Sequence, residues 1–273
     1  MLTVVSLCSL CRFSFCVCSC LPSSSSCFKQ LADCIGHFGH IDLELPVFHI
    51  GYIKQVQRVL QMICKTCSRV LLPNLERKRY LALMNRVEDR KYRASLENQV
   101  CTLAKKIKKC PHCGAFNGIV KKLPGLFKLV HETKSKEAKE QREDLLREEF
   151  SEAFQANKLI KEHVGKMTQD LTPLLVQALF LRIPDEDCLL LNLDLSKRSR
   201  PEDMILSQFM VPPACIRPSV SMGTSGSNED DLTVKIADII FINNAIKNAF
   251  EKGAQPAVIM EQWSEQQPLQ QHD

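Results

Sequence analysis

The amino-acid sequence predicts an α+β fold that is mainly helical, with small β elements arranged around a metal site. Apolar residues recur at helical spacing in several segments, and short alternating stretches such as Ile41 to His49 predict strands. Two Cys-x-x-Cys pairs, Cys64 with Cys67 and Cys110 with Cys113, predict a tetrahedral thiolate site. Each pair can form a tight turn, or knuckle, whose two sulfurs face one ion.

The favoured interpretation of these four cysteines is a structural zinc site. The segment between the pairs, residues 68–109, exceeds the usual spacer of about 15–20 residues, so an alternative is two unrelated pairs, one of them redox-active. No strand and helix pattern of the thioredoxin type surrounds either pair. Upstream, Cys34 and His37 have the spacing of another half-site, which is a weak signal by itself. His49 and Cys101 are interpreted as core or capping residues.

The first half of the chain predicts elements in a clear order. A strand from residue 41 is expected to end at Pro46, and a helix within 52–72 should deliver Cys64 and Cys67 near its end. Two more helices follow, then two strands joined by a turn; their predicted ranges are 74–86, 91–109, 118–122 and 126–130, with the turn at Pro124–Gly125.

The second half predicts further helices. A charged amphipathic helix spans 134–167, and another begins at Thr172–Pro173. A third is expected from Pro201, with Ser199 as candidate cap, to the break at Pro212–Pro213. An extended segment at 215–220 and a flexible loop at 221–227 precede a long helix that Asn228 can cap and that ends at Lys252-Gly253. The Gln-rich tail, residues 264–273, is predicted to be disordered.

Positive charge is concentrated in one part of the chain. Residues 76–109 carry eleven Lys or Arg against four acids, a larger surplus than the net +5 of the whole chain. Such a run indicates either a polyanion-facing surface, as in nucleic-acid binding, or a solvated helix face. Lysines at the end of a helix also complement its dipole, which is an alternative reason for Lys105, Lys106, Lys108 and Lys109.

The first 28 residues differ from the rest. Six of the fourteen cysteines precede residue 28, and Arg12 is the only charge there. A signal peptide would need a basic start, and most later cysteines have metal-like spacing, so a secreted disulfide protein is a distant alternative. No stretch is long and apolar enough to span a bilayer. We expect an intracellular protein that does not bind membranes, with residues 1–28 as a non-native or disordered leader.

Several strings along the chain resemble one family. IDLELPVFHIGYIK, LQMICKTC, CPHCGAFNG, VPPACIRPSV and NEDDLTVKIADIIFINN are similar, in order and spacing, to the N-terminal clamp region of the largest subunit of nuclear RNA polymerases. The residues of the first three strings resemble those of the RNA polymerase III largest subunit most. The match covers about residues 29–263. The resemblance implies a nuclear protein, a zinc-stabilised polymerase clamp, and partnership with the other polymerase III subunits.

The resemblance also implies site residues. One family zinc site has the pattern Cys-x2-Cys-x6-Cys-x2-His; Cys27, Cys34 and His37 fall on its last three positions, but Ser24 stands at the first, so this site is expected to be incomplete. The other site carries over as Cys64, Cys67, Cys110 and Cys113. We therefore expect about one tightly bound Zn²⁺. A clamp would hold the DNA template and the RNA–DNA hybrid through lysine contacts to phosphates, with these candidates: Lys105, Lys106, Lys108, Lys109, Lys121 and Lys122.

The family's catalytic string, Asn-Ala-Asp-Phe-Asp-Gly-Asp, which binds Mg²⁺ in the complete active centre, is absent from the sequence. The chain is thus expected to be an N-terminal fragment of a nucleotidyltransferase subunit, inactive alone. Its expected parts are a zinc-binding clamp core with basic helices at 29–132, a helical clamp-head-like region at 133–220, and a return to the clamp at 221–263. A free-standing zinc-binding nucleic-acid-binding or adaptor protein derived from the clamp is the alternative.

Overall fold

A computed structural model describes residues 36–123, 128–133, 168–193, 200–221 and 227–269. The chain divides into two compact units, one formed by residues 1–47 with 206–273 and the other by residues 48–205. The described residues form helices joined by three small sheets, which confirms the α+β class. None of the helices in these ranges is both long and apolar enough to cross a membrane.

The unit of residues 48–205 contains the cysteine pairs. Its described helices are α1 (Ile53–Met62), α2 (Asn74–Arg86), α3 (Arg90–Lys106), α4 (Pro173–Leu181) and α5 (Asp185–Leu190), followed by a 3-10 turn at Pro201–Met204. Its sheet has the order β2 (Ile119–Lys122), β3 (Leu129–Glu132), β4 (Thr168–Leu171), and both pairings are antiparallel.

Local sequence explains where these helices begin. Asp89 precedes α3 and accepts a hydrogen bond from the backbone N–H of Lys91. Thr172 caps α4 in the same way through Leu175, and Pro173 occupies the first helical position, where no N–H is needed. The predictions for α2 and α4 are confirmed, whereas α3 ends at Lys106 and leaves Lys108 and Lys109 beyond the helix.

The core of this unit surrounds α1. Val56, Val59 and Leu60 are fully buried on α1, and they belong to one cluster with apolar residues of the other helices and of the sheet, including Met84, Val100, Val120, Leu129 and Phe180. Cys101 is buried in this cluster, as predicted. The cluster reaches Cys64 and Cys110, so the cysteine pairs lie at the margin of a packed core.

The other unit contains strands β1 (Gly39–Phe48), β5 (Ile205–Val211), β6 (Val220–Ser221) and β7 (Ser227–Asn228) and helices α6 (Asp231–Glu251) and α7 (Pro256–Leu269). Strand β1 pairs with β5, and β6 with β7. The buried side chain of Asn243 in α6 hydrogen-bonds to the backbone of β1. Its Oδ1 accepts from Glu44 N, and its Nδ2 donates to Asp42 O. The Trp263 indole donates to Pro46 O at 2.9 Å.

Several sequence predictions need correction here. Strand β1 continues through Pro46, which a two-stranded sheet tolerates because a strand edge needs no N–H partner. The helix predicted from Pro201 is only a 3-10 turn, followed by β5, whose β-branched and aromatic residues favour a strand. The extended segment predicted at 215–220 begins as a turn, with Ile216 N donating to Pro213 O.

Two corrections concern the C-terminal region. Asp230, rather than Asn228, caps α6 through Leu232 N, although the helix ends as predicted with Gly253 at φ +64°. Residues 264–269, predicted as disordered, continue α7. The predictions for the leader, the turn at Pro124–Gly125, the helix over 134–167 and the cap at Ser199 lie outside the described residues.

Candidate metal centre

The two Cys-x-x-Cys segments form knuckles of the same backbone design. In the first knuckle, Cys64–Ser68, the N–H of Ser68 donates to Cys64 O and the N–H of Cys64 donates to Arg69 O. In the second knuckle, Cys110–Gly114, Gly114 N donates to Cys110 O and Cys110 N to Ala115 O. The flanking bonds from Leu71 N to Met62 O and from Asn117 N to Lys108 O also correspond. A bridge between neighbouring backbone segments closes each knuckle.

Both knuckles turn back on themselves through a left-handed residue directly after the second cysteine. Gly114 takes this conformation at φ +73°, and Ser68 takes it at φ +58°. Glycine adopts such a backbone without steric cost, whereas a residue with a Cβ is strained there. The same turn is therefore relaxed in the second knuckle and strained in the first.

The knuckles bring all four sulfurs together. The Sγ atoms of Cys64, Cys67, Cys110 and Cys113 lie within 4.8 Å of one another. Across the knuckles, Cys64 Sγ is 3.6 Å from Cys113 Sγ, and Cys67 Sγ is 3.7 Å from Cys110 Sγ. Zn–S bonds of about 2.3 Å in a tetrahedron place the sulfurs about 3.8 Å apart. These thiols are unbridged, and their spacing fits one tetrahedral ion.

The electrostatic surroundings of the sulfurs differ. Burial opposes ionisation of Cys64, but N–H donors from Cys67, Thr66 and the Asn117 amide outweigh it and lower the pKa of Cys64 to about 6. Burial raises the pKa of Cys67 to about 12 and also raises the pKa of Cys110. Lys65 lies beside this group and donates from Nζ to Ile63 O, and its burial lowers its pKa to about 8.

Asn117 connects the two knuckles and was not singled out from the sequence. Its side chain donates to Cys64 Sγ at 3.5 Å and to Ala115 O, while its Oδ1 accepts from Lys65 N. It thus fixes the chain after the second knuckle against the first. The sequence does contain a signal for this role. Asn117 lies four residues after Cys113, and the equivalent position of the first knuckle, four residues after Cys67, is the apolar Leu71.

A second set of hydrogen bonds, which the sequence also did not predict, stabilises the first knuckle and not the second. Asp187 of α5 is completely buried and accepts hydrogen bonds from Val70 N at 3.1 Å and from Arg77 Nε at 2.6 Å. Arg77 also pairs with Glu186, which is exposed. A buried carboxylate is retained only where such donors compensate for its lost hydration. This network anchors the strand that closes the first knuckle.

The remaining predicted site residues have different outcomes. Cys27 and Cys34 lie outside the described residues, and the buried Nε2 atom of His37 has no hydrogen-bond partner among the residues that the structure describes. All six candidate lysines are exposed. Lys109 Nζ lies 4.6 Å from the centre of the Phe116 ring, and Lys121 pairs with Glu132. The structure therefore presents these lysines to solvent.

Comparisons with known proteins identify the family of this chain. The family model for RNA polymerase Rpb1, domain 1, matches residues 14–272. The chain is 44% identical over 243 residues to DNA-directed RNA polymerase III subunit RPC1 of Bos taurus, covering 87% of this chain and 17% of that subunit. The RPC1 subunit of Saccharomyces cerevisiae is 39% identical over 251 residues, which are 88% of this chain and 17% of the subunit.

A more distant relative is DNA-directed RNA polymerase subunit Rpo1N of Methanocaldococcus jannaschii, which is 33% identical over 240 residues, 88% of this chain and 15% of that subunit. The chain belongs to the family of largest RNA polymerase subunits, of which it forms the first domain. Within that family its sequence corresponds to the N-terminal region of the polymerase III largest subunit. It spans about a sixth of the length of these polymerase III relatives.

Proposed function

We propose that this chain forms the zinc-binding part of the clamp in the largest subunit of nuclear RNA polymerase III. In this role it closes over the DNA template and the RNA–DNA hybrid, next to other subunits of the polymerase. The observation that carries the proposal is the group of four cysteine sulfurs at tetrahedral spacing, formed by two like knuckles in a chain of this family.

The four cysteines would hold Zn²⁺ as a structural ion. A bound zinc ion supplies a cross-link between the two knuckles, which follow α1 and α3. Asn117 orients Cys64 within the group, and Asp187 keeps the first knuckle closed. The other site, Cys27, Cys34 and His37, lacks a fourth ligand at Ser24, so we propose one tightly bound zinc ion per chain.

The exposed lysines would contact nucleic-acid phosphates. Phosphate contacts carry no base information, so the clamp holds DNA and hybrid of any sequence. The candidates are Lys105, Lys106, Lys108, Lys109, Lys121 and Lys122. Because the sequence lacks the aspartate string that binds Mg²⁺ in the family, the role of the chain is to bind nucleic acid and not to catalyse nucleotidyl transfer.

Metal analysis combined with a binding assay tests the proposal. The full chain, purified without added metal, should contain about one zinc per molecule and should bind an RNA–DNA hybrid more weakly as salt increases. Nucleotide addition by the isolated chain should be undetectable. Zinc content near zero in folded protein would contradict the metal site, and the absence of salt-dependent hybrid binding would contradict the clamp role.

A further inference from the structure

A cleft of about 700 Å³ opens in the unit of residues 48–205, between α1, α3 and β2. Helix α1 contributes one wall, α3 contributes another, and β2 forms the third side. Its lining is mixed polar and basic and includes Lys54, Gln57, Arg58, Gln61, Lys105 and Lys121. Lys105 and Lys121 were predicted as nucleic-acid contacts, whereas Lys54 and Arg58 were not.

The charge of this cleft is positive on all three sides. Four cations line it and no carboxylate does. Arg58 lies 3.4 Å from Glu97, and Lys121 pairs with Glu132, but both carboxylates belong outside the lining. Among the described residues, no carboxylate lies within ion-pair distance of Lys54 or Lys105. The cleft therefore combines two compensated cations with two that have no internal counter-charge.

Side-chain hydrogen bonds fix two of the three walls, α1 and β2, to one another. The buried Gln61 amide accepts from Val120 N at 2.8 Å and donates to Gly118 O, and Gln57 donates to Val120 O. These bonds join α1 to β2 along the floor of the cleft. Because these two walls are already fixed, a ligand would not have to order their backbone when it binds, which favours affinity.

We propose that this cleft binds a short phosphodiester segment of nucleic acid through Lys54, Arg58, Lys105 and Lys121. The inference rests on the proposed function and adds a defined site to it. A nucleic-acid strand carries a charge at each backbone phosphate, so several charges can enter one compact cleft. An acidic peptide carries its charges on separate flexible side chains and matches the cleft less well. Half-exposed Ile119 offers apolar contact for a sugar or base edge.

Charge removal at the two cations without counter-charge tests the site. The double variant Lys54→Gln with Lys105→Gln is compared with Lys78→Gln with Lys91→Gln, which removes the same charge at exposed positions outside the cleft. Binding of labelled single-stranded DNA and RNA of one sequence to the full chain is measured between 50 and 200 mM salt. Affinity of the cleft variant should depend less steeply on salt. The negative slope of log affinity against log salt should become smaller in magnitude by about 1.4, the value for two lost contacts to a single strand.

The control variant should keep the wild-type slope and affinity. In a parallel footprint, the oligonucleotide should protect Lys54 and Lys105 from acetylation and leave Lys78 reactive. Wild-type behaviour of the cleft variant would overturn the cleft assignment while leaving the proposed function intact. No salt-dependent binding by the wild-type chain would overturn both. Displacement of the oligonucleotide from the cleft by polyglutamate at equal charge concentration would overturn the assignment to a phosphodiester.

Discussion

The first and second knuckles share one backbone design in different surroundings. In the first knuckle Cys64 and Ser68 are at 0% exposure and Cys67 is half-buried, and Asp187 anchors the segment that follows. In the second knuckle Cys110 is buried and Cys113 is exposed, and Gly114 closes the turn. The first knuckle thus has support from the core, which tolerates a strained residue, whereas the second relies on a relaxed glycine turn and on Asn117. We infer that the core positions the first knuckle and that the bound ion positions the second.

The largest effect is expected from ligand removal. Cys64→Ala should abolish tight zinc binding and unfold much of its unit, because structural zinc contributes on the order of 10 kcal/mol or more to such folds. Cys113→Ala should also lose tight zinc and the stabilisation that the ion supplies, but it opens no cavity in the core because this side chain is exposed, so it should destabilise the unit less than Cys64→Ala does. Zinc content and circular dichroism measure both effects.

Cys188→Ala is the matched control, because Cys188 is a buried cysteine of the same core outside the metal group. It should retain one zinc and lose about 1–2 kcal/mol of stability through its small cavity. If Cys64→Ala kept one tight zinc, the four-sulfur site would be wrong.

The next effect separates the knuckles through Asp187. Asp187→Asn should lower the free energy of unfolding by about 3 kcal/mol, because buried donors from Val70 and Arg77 lose their charged acceptor. Glu186→Gln removes the exposed partner of the same arginine and should cost at most about 0.5 kcal/mol. Urea denaturation of the two variants measures the difference, and equal losses would show that the buried network does not anchor the first knuckle.

The pH dependence of zinc affinity follows from the raised pKa values of Cys67 and Cys110. These thiols are protonated at neutral pH and must lose their protons to bind the ion. Affinity should therefore increase with pH, by at least about a hundredfold per pH unit because at least these two protons are released, and decrease on acidification. Below pH 6 the Cys64 thiolate also becomes protonated, because its pKa is about 6, and the decrease steepens. Competition with a chromophoric chelator from pH 5 to 8 measures the zinc affinity. An affinity that does not change with pH would contradict this explanation.

Asn117 provides a smaller test of how the knuckles are joined. Asn117→Leu removes the donor to Cys64 and the acceptor of Lys65 N, so zinc affinity should fall about 10–100-fold, as for other residues that orient metal ligands. Asn98→Leu changes an exposed asparagine of α3 and should leave affinity unchanged. Chelator competition at constant pH compares the two, and equal affinities would remove Asn117 from the account.

The smallest effects come from exchanging the turn residues. Ser68→Gly should stabilise the unit by about 1 kcal/mol, because it relieves left-handed strain and removes a buried hydroxyl that has no hydrogen-bond partner in the described part of the chain. Gly114→Ser should destabilise it by about 1 kcal/mol through backbone strain alone, since nothing lies within 4 Å of the added Cβ. Thermal unfolding of both variants should show shifts of opposite sign, and shifts of the same sign would contradict the comparison.

The sequence predicted what local patterns control. The cysteine spacing identified all four members of the group, and Pro73 and Pro173 marked where α2 and α4 begin. Asn117, Asp187 and Gln61 were missed because their roles depend on contacts between segments distant in sequence, as between Asp187 and Val70. The segment after Pro201 was misassigned because proline starts helices and 3-10 turns alike, and the pairing of β5 with β1 decided the outcome. The cleft could not be predicted from the sequence, because Lys54 and Arg58 come close to Lys105 only when α1 packs on α3 and β2.

X-ray absorption at the zinc edge tests the central claim most directly. The chain carrying Cys34→Ser, which removes a ligand of the incomplete site, should contain one zinc with four sulfur neighbours at about 2.3 Å. That result would show one ion shared by both knuckles. Nitrogen or oxygen in the coordination shell, or fewer than four sulfurs, would contradict it.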